Sequence, residues 1–354
     1  MDELANRHLT FAVIGLGYWG PNLLRVLVED VDVTVRWICD TDEERLVRLA
    51  RRYPGIRTTC DLDDVLFDEE VDAVLIATPV FTHVDLCTRS LLAGKHTFVE
   101  KPLATSAALA DELVRLADTR DRVLMCGHTF VYSPAVNAVR GMLEEGVVGN
   151  VYFVSASRVN LGLHQRDVSV VWDLGPHDFS ILLHWLGERP DTVRATGRDS
   201  IVRGVVDVAF VTLRFPSGVV AQVELSWLSP SKLRRTVVVG SEKMVVYEDG
   251  APEPLRLFDH GVVYSDPETF GQYQLSYRTG DIVAPKLEAH EPLKLELADF
   301  GNAIRSGDPM LYNTALARDV VAITEAASRS LEAGGAEVRV ERSTALYTLP
   351  PLAA

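Results

Sequence analysis

Three groups of residues in this 354-residue chain have the types and spacing that chemistry needs. The first is the turn Gly15-Leu16-Gly17-Tyr18-Trp19-Gly20, which follows the apolar run Phe11 to Ile14 and precedes a helix-like segment, Pro21 to Val28. Gly15 permits a tight exit from a strand, Gly17 leaves the backbone bare for a pyrophosphate, and Gly20 lets the helix pack close to the sheet. The helix N-terminus then offers N–H groups and a positive dipole end to the phosphates. Asp40 closes a second apolar run, Val33 to Cys39, and stands twenty residues after Gly20. That is the spacing of the carboxylate that holds an adenosine ribose. The pattern points to a dinucleotide. A carboxylate at that place repels a 2′-phosphate and so favours NAD, while Arg45 nearby keeps NADP as the alternative. The plainer reading of Asp40 is an N-cap for the helix after it.

The second group is Glu100-Lys101-Pro102. Proline fixes its own φ and holds Lys101 to extended geometry, which aims an ammonium at a fixed point. Beside a nicotinamide, that lysine could stabilise an alkoxide or shuttle a proton; otherwise it is a surface lysine paired with Glu100. The third group is Trp172-Asp173-Leu174-Gly175-Pro176-His177-Asp178. His177 is a natural proton acceptor near neutral pH. With Asp173 as N-cap, Pro176 falls where a helix has no use for an N–H, and His177 enters the first full turn on the side of Asp173. The alternative is a capping aspartate and a surface or core histidine. Asp178 is the competing carboxylate, and adjacent helical residues diverge.

The elements that must position these groups alternate through the first third of the chain. Strands are expected at Leu9–Ile14, Thr34–Cys39, Thr58–Cys60, Ala73–Ala77, Thr97–Val99 and Val123–Cys126, with helices between them. This predicts a doubly wound α/β domain with a mainly parallel sheet over residues 7–128. Ligands then lie at the carboxyl ends of the strands, where Gly15, Asp40, Thr78 and Lys101 all stand. Residues 129–354 read as a second, α+β domain with a largely antiparallel sheet. Its strands alternate apolar and polar residues, as in Ala221-Gln222-Val223-Glu224-Leu225, and its hairpins turn at Phe215-Pro216-Ser217-Gly218 and Gly240-Ser241. One helix, His177 to Leu186, interrupts this region early, and two more, Leu293–Ser306 and Thr314–Ala333, close the chain. Residues 251–290 carry the weakest pattern.

Composition narrows the class further. A hydrophobic content of 47% with 24% charged residues is that of an ordinary globular protein. The net charge of −15 argues against a nucleic-acid partner, since phosphate binding needs a basic face. The four cysteines (Cys39, Cys60, Cys87 and Cys126) form no C-x-x-C pair. No metal site and no disulfide framework are expected, and a cytoplasmic location fits. There is no apolar leader core and no run of about 18 apolar residues, so no membrane partner is expected.

Five stretches together resemble the glucose-fructose oxidoreductase / inositol dehydrogenase / MocA (Gfo/Idh/MocA) family. They are Val13 to Asn22, Ala77 to His83, Ala93 to Leu103, Gly127 to Pro134 and Trp172 to Asp178. The resemblance implies a Rossmann domain followed by an open-faced sheet used for oligomer contacts, in a homo-dimer or homo-tetramer. It implies Lys101, Asp173 and His177 as catalytic residues, a cis Lys101–Pro102 bond, and hydride transfer between NAD (or NADP) and a sugar. The segments Gly17-Tyr18-Trp19-Gly20-Pro21-Asn22 and Gly127 to Pro134 resemble nucleotide-sugar 3-dehydrogenases and ketoreductases. A free-sugar, sugar-phosphate or inositol dehydrogenase is the alternative, and an NAD-binding sensor without catalysis the further one. Expected cofactor contacts are Gly15, Gly17, Tyr18, Trp19, Gly20, Asp40, Thr78, Pro79, His83, Glu100 and Lys101. Expected substrate contacts are Tyr132, Arg158, Asn160, His164, Arg166 and His177; for Tyr132 the alternative is packing against the Rossmann domain, and for the four between Arg158 and Arg166 it is a solvated polar edge. Lys232, Arg234 and Arg235 form a basic cluster, read as a solvated hairpin tip in preference to a diphosphate site.

Overall fold

The computed structural model describes residues 7–162, 168–264 and 275–342. The chain divides into two compact units. The first holds a six-stranded parallel sheet in the order β3-β2-β1-β4-β5-β6. Its strands are β1 (Leu9–Ile14), β2 (Val33–Cys39), β3 (Arg57–Thr59), β4 (Ala73–Ile76), β5 (His96–Glu100) and β6 (Leu124–Gly127). Between them lie α1 (Gly20–Glu29), α2 (Glu43–Arg52), α3 (Leu62–Leu66), α4 (His83–Leu92) and α5 (Ala107–Thr119). All four residues of β4 are buried, as a strand covered on both faces requires. Ile14 pairs in register with Cys39 on one side and Ile76 on the other, so the carboxyl ends of β1, β2 and β4 are level.

The expected boundary at residue 128 is corrected: the first unit runs to Tyr132 and takes back His290–Ala322. The reason is α8 (Pro292–Ser306), whose Leu293, Leu297 and Phe300 enter the core of this unit. The Phe300 ring lies 5.9 Å from Phe11 and 5.8 Å from Phe98, centroid to centroid. Burying three such side chains is worth about 1.5–3 kcal/mol each, enough to fix where the helix docks. The division then falls within α9 (Leu311–Glu332).

The second unit holds, among the described residues, a nine-stranded sheet in the order β14-β13-β12-β11-β7-β10-β9-β8-β15. Its strands are β7 (Val151–Leu161), β8 (Thr192–Arg198), β9 (Val208–Arg214), β10 (Val220–Ser226), β11 (Leu228–Gly240), β12 (Met244–Glu248), β13 (Leu255–Tyr264), β14 (Leu275–Val283) and β15 (Val338–Arg339). Only β7 and β10 pair in parallel; every other neighbouring pair is antiparallel. The weakly patterned stretch thus supplies β13 and β14. Helix α6 (Pro134–Glu144) packs on α7 (Val170–Leu186), and α7 covers β7, β9 and β10. It starts at Val170 with Ser169 as N-cap, not at Asp173, and Pro176 lies inside it. An interior proline costs about 3 kcal/mol. Burial of Val170 and Val171 offsets that, so the helix continues through it.

Candidate functional site

In the first unit the turn after β1 has the form a dinucleotide needs. Gly15 has φ +88° and ends the strand; a Cβ there would stand 2.6 Å from the Ala77 carbonyl oxygen. At Gly20 a Cβ would fall 1.9 Å from the Gly15 carbonyl oxygen, so only glycine lets α1 begin there. At Gly17 a Cβ would meet nothing nearer than Arg45 Nη1 at 4.0 Å, which leaves the backbone open to a ligand. Helices α2, α3 and α5 are capped by Asp42, Asp61 and Ser106, whereas α1 has no side-chain cap and no acidic residue in its first turn. An uncapped N-terminus behind a bare glycine suits a pyrophosphate. Tyr18 is 86% exposed and stacks on Trp19, which packs against the core.

Asp40 is not the N-cap of α2; Asp42 is, accepting from the Glu44 and Arg45 backbone N–H groups. The Asp40 carboxylate is buried at the end of β2. It accepts from Leu16 N–H at 2.6 Å and Asp42 N–H at 2.8 Å. These bonds lock it beside the glycine turn, and the remaining lone pairs of its two oxygens suit ribose hydroxyls. Arg45 reaches Asp40 at 3.5 Å and Asp42 at 3.1 Å.

After β4, Thr78 and Thr82 share a hydroxyl bond at 2.7 Å, with Pro79 between them in the turn. His83 is buried. Its ring nitrogens lie 2.8 Å from the Pro102 carbonyl and 2.9 Å from the Thr78 carbonyl. The ring thus lies between the turn after β4 and the segment after β5, and in its neutral form its one N–H donates to one of these two carbonyls, a scaffold role. Burial holds this imidazole below its ordinary pKa. Lys101 follows β5 directly, half-buried, and the Lys101–Pro102 bond is cis. Glu100 is pushed up to about 7 by burial, against the pull of Lys101. Tyr132 takes the second of its two expected places: its hydroxyl donates to Asp299 at 2.7 Å, and the ring packs on the core of this unit. Burial and Asp299 push that phenol upward.

In the second unit, α7 is buried at every position from Asp178 to Leu186. Asp173 and His177, one turn apart and so on one face, remain partly accessible. Trp227 fixes Asp173, donating from its indole N–H at 3.1 Å. Asp178 is occupied elsewhere: it accepts from Arg158 Nε at 2.5 Å and Nη2 at 3.2 Å, and both side chains are 4% exposed. Strand alternation puts Arg158 on the same buried face as Val154 and Ala156. Its expected place at a substrate is thereby corrected to a buried ion pair. Asn160 lies further along β7, with its side-chain oxygen buried and, among the described residues, without a hydrogen-bond partner. His164 and Arg166 lie outside the described residues. Arg234 pairs with Asp249 at 2.8 Å, and Lys232 and Arg235 are exposed on β11, within a strand and not at a hairpin tip.

Sequence reading missed Trp227 and Glu296. Nothing in the sequence marks Trp227. Glu296 had a signal: it lies on the α8 stripe of Leu293, Leu297 and Phe300, where a carboxylate is out of place. The cysteines are free, and Cys39, Cys87 and Cys126 are buried. Burial pushes the Cys39 thiol to about 12 and the other two upward, which makes them poor nucleophiles. Among the described residues no helix is long and apolar enough to cross a membrane.

Comparison with known proteins agrees with this geometry. Residues 9–128 match the oxidoreductase family, NAD-binding Rossmann fold, and residues 136–246 match the GFO/IDH/MocA C-terminal domain. The chain belongs to the Gfo/Idh/MocA oxidoreductase family. GenD2 from gentamicin A biosynthesis, solved in complex with NAD, is 27% identical and superposes with a TM-score of 0.80 over 96% of this chain and 98% of its own. The UDP-N-acetylglucosamine 3-dehydrogenase of Acidithiobacillus ferrooxidans is 26% identical over 89% of this chain and 95% of its own. The 2,7-anhydro-N-acetylneuraminate hydratase of Escherichia coli is 27% identical over 61% of this chain, and the match spans only 61% of that relative's length.

Proposed function

We propose that this chain is an NAD-dependent oxidoreductase that moves a hydride between the nicotinamide and a sugar carbinol carbon, with C3 of a nucleotide-linked sugar as the favoured substrate. The observation that carries the reading is that Asp173 and His177 lie on one face of α7, both partly accessible just ahead of the stretch buried from Asp178 to Leu186, with Asp173 held by Trp227. The relative that acts on UDP-N-acetylglucosamine supports the substrate class.

Bound at the glycine turn, NAD supplies the hydride acceptor. The chain supplies the proton transfer and the charge. His177 takes the hydroxyl proton during oxidation and returns it during reduction. Lys101 offers its ammonium to the developing oxyanion and orients the hydroxyl. Asp173 orients His177 or grips a neighbouring hydroxyl. Gly15, Gly17, Gly20 and Asp40 hold the dinucleotide, with Tyr18, Trp19, Thr78 and Pro79 bordering it. A homo-dimer or homo-tetramer belongs to the same reading. Phe153 and Phe210 are exposed on the sheet face opposite the buried Val154 and Val211, and light scattering would measure the assembly.

The test is NADH absorbance after adding NAD and UDP- or dTDP-linked hexoses, glucose 6-phosphate, glucose or myo-inositol, with NADP in parallel. Turnover confined to nucleotide-linked sugars is the expected result. Turnover with inositol, free glucose or its phosphate would move the protein to the free-polyol or sugar-phosphate class. Silence in this assay and in the reverse assay with keto-sugars would leave an NAD-binding protein without catalysis.

A further inference from the structure

Behind Lys101 lies a group of buried polar side chains that the proposed chemistry does not use. Glu100 pairs in register with Gly127 across β5 and β6, so Lys101 and His128 are the next residues on the two strands. The Glu100 side chain leans over Gly127, where a Cβ would stand 3.2 Å from Glu100 Oε2. Two residues past Gly127, the Thr129 hydroxyl donates to Glu296 Oε2 at 2.7 Å. Glu296 is 0% exposed and His128 1%. Oε1 of Glu100, Oε1 of Glu296 and both ring nitrogens of His128 are buried and, among the described residues, have no hydrogen-bond partner.

Two carboxyls enclosed in this way and within electrostatic reach of one another cannot both ionise. We propose that Glu100 and Glu296 form a buried carboxyl pair in which Glu296 stays protonated and Glu100 gains and loses its proton, acting as a switchable counter-charge for Lys101. Glu100 is then a positioning residue for the ammonium, and its charge in turn helps Glu296 to keep its proton. The proposal rests on Lys101 being the working lysine. Only an O–H bond is made or broken: Glu100 takes its proton from solvent below neutrality and returns it above.

The groups facing the pair come from every element around it. Lys101 on the same chain segment favours the Glu100 carboxylate, and so does the Trp19 indole. Cys126 on β6 and Asp299 on α8 bring no positive charge, and burial holds His128 neutral, down to about 3. Burial therefore dominates, pushing Glu100 up to about 7 and Glu296 well above the usual carboxyl range.

Infrared spectroscopy of the full chain without substrate tests this, because only protonated carboxyls show the acid C=O stretch. From about pH 6 to about 8.5, ordinary carboxyls are ionised and silent. The wild-type protein should show an acid band with one component that titrates near neutrality and one that persists. Glu100→Gln should remove the titrating component and Glu296→Gln the persistent one. Lys101→Met should move the titration to higher pH, because the cation favouring the carboxylate is gone. If Glu296→Gln does not fold, Thr129→Val should shift the persistent component by removing its hydrogen-bond donor. A wild-type spectrum without the acid band, or a titrating component unchanged in Glu100→Gln, overturns the pair. A persistent component unmoved by the Glu296 or Thr129 substitution overturns the place of Glu296 in it. A midpoint unmoved by Lys101→Met overturns the link to the lysine. No substrate is needed, so failure of the sugar panel and failure of this test are separate results.

Discussion

At the scale of single residues, accessibility separates the side chains that act from those that hold. His177 is partly accessible on a helix buried around it. His177→Ala should lower turnover by about 10²–10⁴ while NAD binding, followed by fluorescence titration, changes little. Turnover at the wild-type level with saturating substrate would remove His177 from the proposed chemistry. Arg158 is the opposite case. Its guanidinium is enclosed with the Asp178 carboxylate, so Arg158→Leu strands a buried charge. The expected cost is about 3–5 kcal/mol, read as a lowered denaturation midpoint. Replacing both partners with apolar residues of similar volume should recover most of it. A substrate-binding arginine would instead raise KM and leave stability alone. Sequence placed Arg158 on the right strand but could not assign its face, because the parity that buries it depends on the register of β7 against β10 and β11.

At the scale of elements, the glycine turn makes a graded prediction. Gly20→Ala puts a methyl 1.9 Å from the Gly15 carbonyl oxygen, so α1 must shift. A loss of about 1–3 kcal/mol in stability should accompany the loss of NAD binding. Gly17→Ala meets only the tip of Arg45. It should unfold at the wild-type denaturant concentration yet bind NAD more weakly, because the methyl occupies the approach of the pyrophosphate. If both variants bind NAD as wild type does, the turn is structural only. This turn was legible in sequence because its constraints are local: three glycines, a strand before them and a helix after. The parallel sheet was legible for the same reason. The start of α7 was not, since Pro176 is a local signal to begin a helix and only the tertiary burial of Val170 and Val171 overrides it. The return of α8 to the first unit was equally hidden, because the Phe300 contacts with Phe11 and Phe98 join residues far apart in the chain.

At the scale of the whole molecule, the buried titratable groups set how stability depends on pH. Burial holds His96 down to about 4 and His128 and His184 to about 3, and lowers His83 as well. Unfolded imidazoles take up protons below about pH 6.5. Folded ones in these places do not, so each contributes stability that is present above that pH and lost below it. Glu100 and Glu296 act in the other direction: their raised pKa values let the folded state keep protons that unfolded carboxyls release above about 4.5. Between about pH 5 and 6, the unfolded chain takes up protons at these imidazoles while the folded chain retains protons on the two carboxyls. The imidazoles outnumber the carboxyls, so the unfolded state binds more protons and stability rises with pH. Above about pH 8 the imidazoles no longer contribute and Glu100 has ionised, so the proton kept by Glu296 turns the slope to a shallow fall. Urea denaturation across this range should therefore show a maximum between about pH 6 and 7, with stability falling on both sides. In Glu296→Gln the alkaline fall should flatten, because the residue that retains the proton is gone. A wild-type profile that keeps rising through pH 8 would mean that Glu296 is ionised in the folded protein.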